Sequence, residues 1–315
     1  MRVLMFGRGV ISTIYGHALQ AAGHDVEFYV REGRAQQYVD EVVLDLIDAR
    51  RTPLGRHARH VVPTRLRESF GPGDGFDLVV LSVGHHHLEA ASAFLAPRLG
   101  DATVLVLGNV WEEPLSAVAP IPASQVVFGF PQAGGGFAED GILHGAMMRT
   151  VILGAAGAAP SSRELAVQDA FRRAGFTISE EKDMRGWLWL HFAADAGMHA
   201  QGLRHGGLAS MIGDRRAFRD AFLTGRELLP VLEARGVDLR RHRRAMLPHR
   251  LPAQTGAVMA WASARFRIAQ VSLAAHTDPR AGEPIAVLRD ALLEARRLGI
   301  PTPRLEATLQ DEGVR

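Results

Sequence analysis

The pattern of apolar and polar positions changes near the middle of the chain. In the first half, short runs of mainly apolar residues alternate with segments of helical periodicity, and the runs lie at residues 2–6, 26–30, 76–83 and 103–107. Runs of this kind are typical of strands that are buried on both faces of a parallel sheet. The first half is therefore predicted to be α/β.

Further strand-like runs, separated by turn signals, occur between about residues 125 and 155, and we interpret them as antiparallel strands that extend the same sheet. From about Ser161 the periodicity is helical almost to the end of the chain, in the segments 163–174, 184–204, 214–235, 255–275 and 284–298. The sequence predicts two domains, an α/β domain over residues 1–180 and a C-terminal all-helical domain over residues 181–315.

Composition excludes several kinds of protein. The 315 residues include no cysteine, so disulfides, thiolate zinc sites and a cysteine nucleophile are excluded, and a cytoplasmic location is expected. No apolar segment is long enough for a membrane span or a secretory signal. The net charge is only +2, and the densest basic run, residues 240–244, has no interleaved aromatic residues. We therefore expect a small-molecule partner, with neither nucleic acid nor membrane.

A glycine-rich turn joins the first predicted strand to the first predicted helix. Its sequence is Gly7-Arg8-Gly9-Val10-Ile11-Ser12. The first glycine permits the tight turn, and the second lets a pyrophosphate approach backbone N–H groups at the helix N-terminus. Ser12 replaces the third glycine of the strict pattern, and a strand-to-helix turn that merely needs glycine is the alternative. Within a βαβ unit, the motif predicts a Rossmann-type dinucleotide-binding domain.

The residues after the second strand indicate which dinucleotide is bound. Arg31 and Arg34 follow this strand, and a guanidinium group there suits a ribose 2′-phosphate. This favours NADP, in its reduced form NADPH, as the cofactor. Glu32 lies one position after Arg31 and would instead select NAD, so that alternative stays open.

Three polar side chains lie four residues apart in an apolar helical segment. In GWLWLHFAADAGMHA these are His191, Asp195 and His199. Residues four apart share a helix face, so Asp195 can orient His191 and favour its charged form. Histidine ordinarily titrates near neutral pH and can supply the proton that carbonyl reduction requires. A hydrogen-bonded packing face is a second interpretation. A metal site is disfavoured because the three side chains fan over about 80° of the helix.

Three motifs together resemble the ketopantoate reductase (2-dehydropantoate 2-reductase) family. They are the opening MRVLMFGRGVIS with Arg31 after the second strand, LVLGNV at residues 105–110, and GEPIAVLRDALLEARRLGIPTP at residues 282–303. The resemblance spans about residues 1–310. It implies an NADPH-dependent reductase with a Rossmann-type N-terminal domain and a helical C-terminal domain.

The resemblance also implies roles for individual residues. Asn109 matches an asparagine near the nicotinamide and the substrate, and Glu283 matches an active-site glutamate. Ser272 matches a substrate-binding serine if one residue is deleted between it and Glu283. Gly84 takes the place of a lysine at the cofactor, next to His85–His87, which either touch the cofactor or form the first turn of the following helix.

The chain departs from the family at the proton donor. His191 takes the place of the catalytic lysine, while Asp195 and His199 replace two asparagines. We therefore expect catalysis by His191, Asp195, Asn109 and Glu283, and a small keto acid or related ketone other than ketopantoate as the substrate, bound in part by His199. Reduction of an imine and a non-catalytic NADP-binding sensor are alternative functions, and a homodimer is a further expectation.

Overall fold

The chain forms two compact units. The first comprises Met1–Gly108 and Glu112–Met184, and the second comprises Asn109–Trp111 and Arg185–Arg315. The computed structural model describes residues 1–154, 160–274, 281–311 and 313. Each unit has its own buried core. In the described part of the chain, no helix is long and apolar enough to cross a membrane.

Strands and four α-helices make up most of the described part of the first unit. The strands are β1 (Arg2–Phe6), β2 (Asp25–Tyr29), β3 (Glu41–Asp48), β4 (Arg56–Pro63), β5 (Leu66–Arg67), β6 (Leu78–Leu81), β7 (Thr103–Leu107), β8 (Val126–Phe130), β9 (Ala133–Phe137), β10 (Leu143–Met147), β11 (Thr150–Gly154) and β12 (Thr177–Glu181). The α-helices of this part are α1 (Val10–Ala21), α2 (Leu88–Leu95), α3 (Pro114–Ala117) and α4 (Ser162–Arg173).

Eight of these strands form the main sheet, in the order β12-β11-β8-β7-β6-β1-β2-β5. The strands from β5 through β8 are parallel to their neighbours, whereas β11 runs antiparallel to β8. The chain leaves β1 toward β2 and β5 on one side and then continues with β6 on the other side. Ligands of such sheets bind where the strand order reverses, beyond the carboxyl ends of the strands. The predicted Rossmann-type fold is confirmed.

The central strands follow directly from their apolar sequences. Every residue of β6 (LVVL) and β7 (TVLVL) is buried, as expected for strands that helices cover on both faces. Helix α1 packs on the sheet through Ile14, Tyr15 and Leu19, all fully buried. The hydroxyl of Tyr15 accepts a hydrogen bond of 3.0 Å from the backbone N–H of Gln132. This contact ties α1 to the loop between β8 and β9.

The prediction that the strands between residues 125 and 155 all extend one sheet as antiparallel strands is wrong. β8 is parallel to β7, and β9 and β10 form a hairpin that joins a second sheet, in the order β4-β3-β10-β9. Backbone crowding explains the glycines of this hairpin: a Cβ on Gly135 would lie 2.9 Å from the Cα of Gly145. Strand β4, RHARHVVP, exposes most of its residues and so leaves no apolar run in the sequence.

Helices make up the second unit. They are α5 (Met184–His205), α6 (Arg215–Glu227), α7 (Leu229–Ala234), α8 (Leu247–Arg250), α9 (Pro252–Arg265), α10 (Arg267–Ala274), α11 (Gly282–Arg297) and α12 (Pro303–Asp311). The helix predicted over 214–235 is divided at Leu228, because Pro230 lacks the N–H that a continuous helix needs. The segment predicted over 255–275 is divided at Phe266 and includes Ala275, which lies outside the described residues.

Helices α5 and α6 approach each other closely through glycines. A Cβ on Gly225 of α6 would lie 2.9 Å from the carbonyl oxygen of Ala193 in α5. A Cβ on Gly197 of α5 would collide with the carbonyl oxygen of Ala221 in α6 and would lie 2.9 Å from the N atom of Gly225. The two backbones therefore touch with no side chain between them.

Candidate active site

The glycine-rich turn has the geometry of an anion-binding site. Gly7 lies between β1 and α1 with φ +104°, a conformation that side-chain-bearing residues rarely adopt. Gly9 is the N-cap of α1, and no side chain caps this helix end. Within the described chain, a Cβ built on either glycine would meet no heavy atom within 4 Å beyond its chain neighbours. The space beside both glycines is therefore open at the N-terminus of α1, which suits a phosphate.

Arg8, between the two glycines, strengthens this interpretation. Its guanidinium carbon lies 4.8 Å from the centre of the Tyr38 ring. Its Nε is buried, and no acceptor among the described residues reaches it. Burial lowers the pKa of the Arg8 guanidinium from its ordinary value. An anionic ligand would supply the missing acceptor and the compensating charge, so the residues present fit a dinucleotide pyrophosphate.

Arg31 and Arg34, which are predicted to bind the ribose 2′-phosphate, flank a turn. The N–H of Arg34 donates to the carbonyl of Arg31 at 3.0 Å, and Gly33 between them has φ +74°. Both arginines are exposed. The carboxylate of Glu68 accepts a 2.7 Å hydrogen bond from the N–H of Ala35, and its pKa is lowered by N–H donors from Ala35, Gly33 and Arg34. Glu68 therefore fixes the backbone of the turn, a role that the sequence did not suggest.

Gly84 and the three histidines lie after β6. Gly84 precedes a short 3-10 turn formed by His85–His87, and α2 begins at the next residue. The rings of His86 and His87 are 4.0 Å apart, centre to centre. The turn follows the carboxyl end of β6, one of the two strands at the reversal of strand order. Contact between these residues and a cofactor stays a prediction.

The second unit brings three of the predicted residues together. The side-chain Nδ2 of Asn109 donates a 2.9 Å hydrogen bond to Oδ2 of Asp195. The other oxygen of Asp195, Oδ1, lies 3.3 Å from Nε2 of His191. One carboxylate thus bridges an amide and an imidazole that are 82 positions apart in the chain. We call this group the Asn–Asp–His network.

Each member of the network has an environment that suits its chemistry. The imidazole of His191 stacks on the Trp187 ring at 5.0 Å with an interplanar angle of 10°, which fixes its plane. The side chains of His191 and Asp195 are 31% and 25% exposed, so a ligand can reach them. Asn109 is 7% exposed, and its buried Oδ1 has no hydrogen-bond partner among the described residues. A buried acceptor without a donor is costly, so Oδ1 is suited to receive one from a ligand.

The other predicted site residues lie elsewhere in the second unit. His199 is buried on α5, one turn beyond Asp195. Ser272 is on α10, where its hydroxyl donates a 2.8 Å hydrogen bond to the carbonyl of Ile268 in the same helix. Glu283 is exposed in the first turn of α11. Their predicted roles stay predictions. Within the described ranges, no group of three or more His, Cys, Asp and Glu side chains could hold a metal ion.

Sequence reasoning missed the residues that surround Asn109. Trp111, two positions later, is 7% exposed and stacks on Phe192, the neighbour of His191. Arg235, just after the end of α7, packs on the Trp111 ring. A single tryptophan after a predicted strand and an arginine at a helix end carry no sequence signal that links them.

Comparisons with known proteins agree with this fold. Residues 3–157 match the family model of ketopantoate reductase PanE/ApbA. Among solved structures, the chain is similar to 2-dehydropantoate 2-reductase from Geobacter metallireducens GS-15, with 18% identity, a TM-score of 0.70 and 98% of each chain covered. It is similar to D-mandelate dehydrogenase in complex with NADH, with 14% identity, a TM-score of 0.71, and 98% of this chain and 97% of that chain covered.

A third solved structure is a dimeric ketopantoate reductase from Staphylococcus aureus, with 12% identity, a TM-score of 0.63 and all of both chains covered. No curated protein sequence matches the chain. At these identities the structural likeness shows the fold alone, which both units share with these enzymes.

Proposed function

Because the chain belongs, through residues 3–157, to the ketopantoate reductase PanE/ApbA family, we propose that it is an NADPH-dependent reductase of a carbonyl group. The substrate is a small keto acid or a related ketone. The observation that carries the proposal is the Asn–Asp–His network, in which a carboxylate holds an imidazole beside a buried amide. Ketopantoate itself is not the expected substrate, because His191 takes the place of the family lysine.

The first unit supplies the residues that would hold the cofactor. The N–H groups of α1 and the guanidinium of Arg8 would bind the pyrophosphate, and Arg31 and Arg34 would bind the 2′-phosphate. Bound NADPH would supply a hydride to the carbonyl carbon of the substrate. The buried Oδ1 of Asn109 would accept a hydrogen bond from the bound cofactor or substrate.

The second unit supplies the proton. Hydride addition leaves negative charge on the carbonyl oxygen, and His191 donates a proton to that oxygen. Asp195 stabilises the charged imidazole before the transfer, and Asn109 keeps the carboxylate in place through its 2.9 Å hydrogen bond. On the family resemblance, Glu283 is assigned a catalytic role in binding or polarising the substrate, and His199 and Ser272 are assigned to substrate binding.

The test replaces His191 by Ala. We expect turnover of the best keto acid to fall by about 10²–10⁴-fold, the range for loss of a general acid, with NADPH affinity nearly unchanged. NADPH fluorescence gives the affinity, and its oxidation gives turnover. His57→Ala is the matched control, because His57 lies on β4 and belongs neither to the Asn–Asp–His network nor to the proposed cofactor-binding residues. Unchanged turnover in His191→Ala would refute the assignment.

A panel of substrates separates the rival functions. NADPH oxidation that depends on an added amine would identify an imine reductase, in which Asp195 or Glu283 receives an ammonium-like group. NADPH binding without oxidation by any keto acid would identify a non-catalytic sensor. A higher kcat/KM with NADH than with NADPH would show that Glu32 rather than Arg31 sets the cofactor.

A further inference from the structure

We infer that Trp111 and Arg235 are positioning residues that hold Asn109 in the Asn–Asp–His network. Neither side chain belongs to the network itself. Together they fix the segment Asn109–Trp111 among helices of the second unit. The catalytic meaning of this inference rests on the proposed function, whereas its structural content does not.

Trp111 joins the segment to two helices. Its ring stacks on that of Phe192 in α5, with centres 4.5 Å apart and planes inclined by 15°. Its Nε1 donates a 3.2 Å hydrogen bond to the carbonyl of Asp290 in α11. Phe192 directly follows His191 in the chain. A single side chain two positions from Asn109 is therefore fixed against the helix that carries the proposed proton donor.

Arg235 also contacts Trp111. Its guanidinium carbon is 4.3 Å from the centre of the Trp111 ring and 3.6 Å from that of Trp189. Its Nη2 donates a 2.5 Å hydrogen bond to the carbonyl oxygen of Trp111, and its Nε lies 3.6 Å from a carboxylate oxygen of Glu294. The side chain is only 12% exposed, so these contacts are largely shielded from water.

Only an arginine meets all of these requirements. A planar guanidinium can stack on two indole rings while its N–H groups donate in its own plane, whereas a lysine ammonium offers no plane to stack. Contacts to both the ring and the carbonyl of Trp111 fix the backbone as well as the side chain. With the backbone fixed at position 111, the 2.9 Å bond from Asn109 to Asp195 keeps its length.

The test combines Arg235→Met with Asn109→Ala. We expect Arg235→Met to lower kcat by about 10–100-fold, because a misplacement of about 1 Å in an active site has effects of this size. In the Asn109→Ala background the same change should alter kcat less than about twofold, since Arg235 acts through Asn109. An equal loss in both backgrounds would indicate a merely structural role and overturn the inference.

Three further variants check the geometry. Trp111→Phe keeps the ring stacking and should retain most of kcat, whereas Trp111→Ala should resemble Arg235→Met. Arg297→Met is the matched control: it removes another ion-pair partner of Glu294, 2.7 Å away, and leaves Trp111 untouched. We expect wild-type kcat from this control.

A structural measurement that does not depend on enzymatic activity can test this inference separately from the proposed function. Crystal structures of the wild type and of Arg235→Met would compare the distance from Asn109 Nδ2 to Asp195 Oδ2. We expect it to exceed 3.5 Å, the limit of a hydrogen bond, in the variant. An unchanged distance in folded Arg235→Met would refute the positioning role. If no keto acid is reduced by the wild type, the proposed function fails, and this distance alone decides the inference.

Discussion

The contact between α5 and α6 makes Gly197→Ala the most discriminating stability variant of the second unit. The new Cβ would collide with the carbonyl oxygen of Ala221 and would lie 2.9 Å from the N atom of Gly225, whereas ordinary contacts lie at 3.4–4 Å. Both obstacles are backbone atoms, so the helices must move apart by about 0.5 Å or more. Such overpacking costs about 3 kcal/mol, at the upper end of its usual range.

An opposing effect reduces this cost. Alanine is the better helix former by about 1 kcal/mol, so the net loss of stability of Gly197→Ala is about 2 kcal/mol. For a unit of this size, that loss lowers the melting temperature by roughly 4–8 °C. Because α5 also carries His191 and Asp195, we expect turnover of the keto acid to fall as well.

The assay is thermal unfolding followed by circular dichroism, with Gly202→Ala as the matched control on the same helix. There the nearest atom to a new Cβ is Cδ2 of Leu208, at 2.8 Å, the end of a flexible side chain that can turn away. We expect this control to melt no lower than the wild type and up to roughly 2–4 °C higher, because the same gain in helix propensity applies to it. If Gly197→Ala melts no lower than Gly202→Ala, the proposed backbone contact does not limit the packing of the two helices.

Three further predictions concern the first unit. Gly7→Ala should raise the Kd for NADPH by about tenfold, because φ +104° strains any residue with a Cβ by about 1–2 kcal/mol; an unchanged Kd in fluorescence titration would contradict this. Glu68→Ala should lower the kcat/KM preference for NADPH over NADH and Glu68→Gln should retain more of it, since Glu68 fixes the turn that carries Arg31; equal preferences in all three proteins would exclude that role. Burial, with the nearby His60, lowers the pKa of His17 to about 4 in the folded protein. Below pH about 6.5, His17 therefore binds a proton more readily in the unfolded chain than in the folded one. The stability that depends on neutral His17 is therefore complete above that pH and is lost toward pH 4. Urea unfolding at pH 7.5 and pH 5 measures how much the free energy of unfolding decreases on acidification, and we expect this decrease to be about 1–2 kcal/mol smaller in His17→Gln than in the wild type.

The sequence predicted the parts of the fold that are buried on all sides. β6 and β7 were recognised because every residue in them is buried and all except Thr103 are apolar. The second sheet was not recognised, because most residues of β4 are exposed and β9 is mostly glycine. The periodicity of apolar residues indicates which faces of a helix or strand are buried. It does not indicate which sheet a strand joins, because strand pairing depends on residues that are distant in the chain.

The candidate site shows the same division. The pairing of His191 with Asp195 follows from their spacing of four residues on a helix. The bond from Asp195 to Asn109 spans 86 positions and appears only in the structure. The contacts of Trp111 and Arg235 are equally distant in sequence, so no local pattern could have linked them to the network.

The second unit is discontinuous in the chain, because Asn109–Trp111 belongs to it although the rest begins at Arg185. This has a consequence for recombination between relatives. A crossover near residue 184 would pair an inherited Trp111 with a foreign helical segment and separate it from Phe192 and Arg235. Chimeras of this fold should therefore keep their activity only when Asn109–Trp111 and the downstream helices come from the same parent. The functional unit of exchange then consists of two separate gene segments.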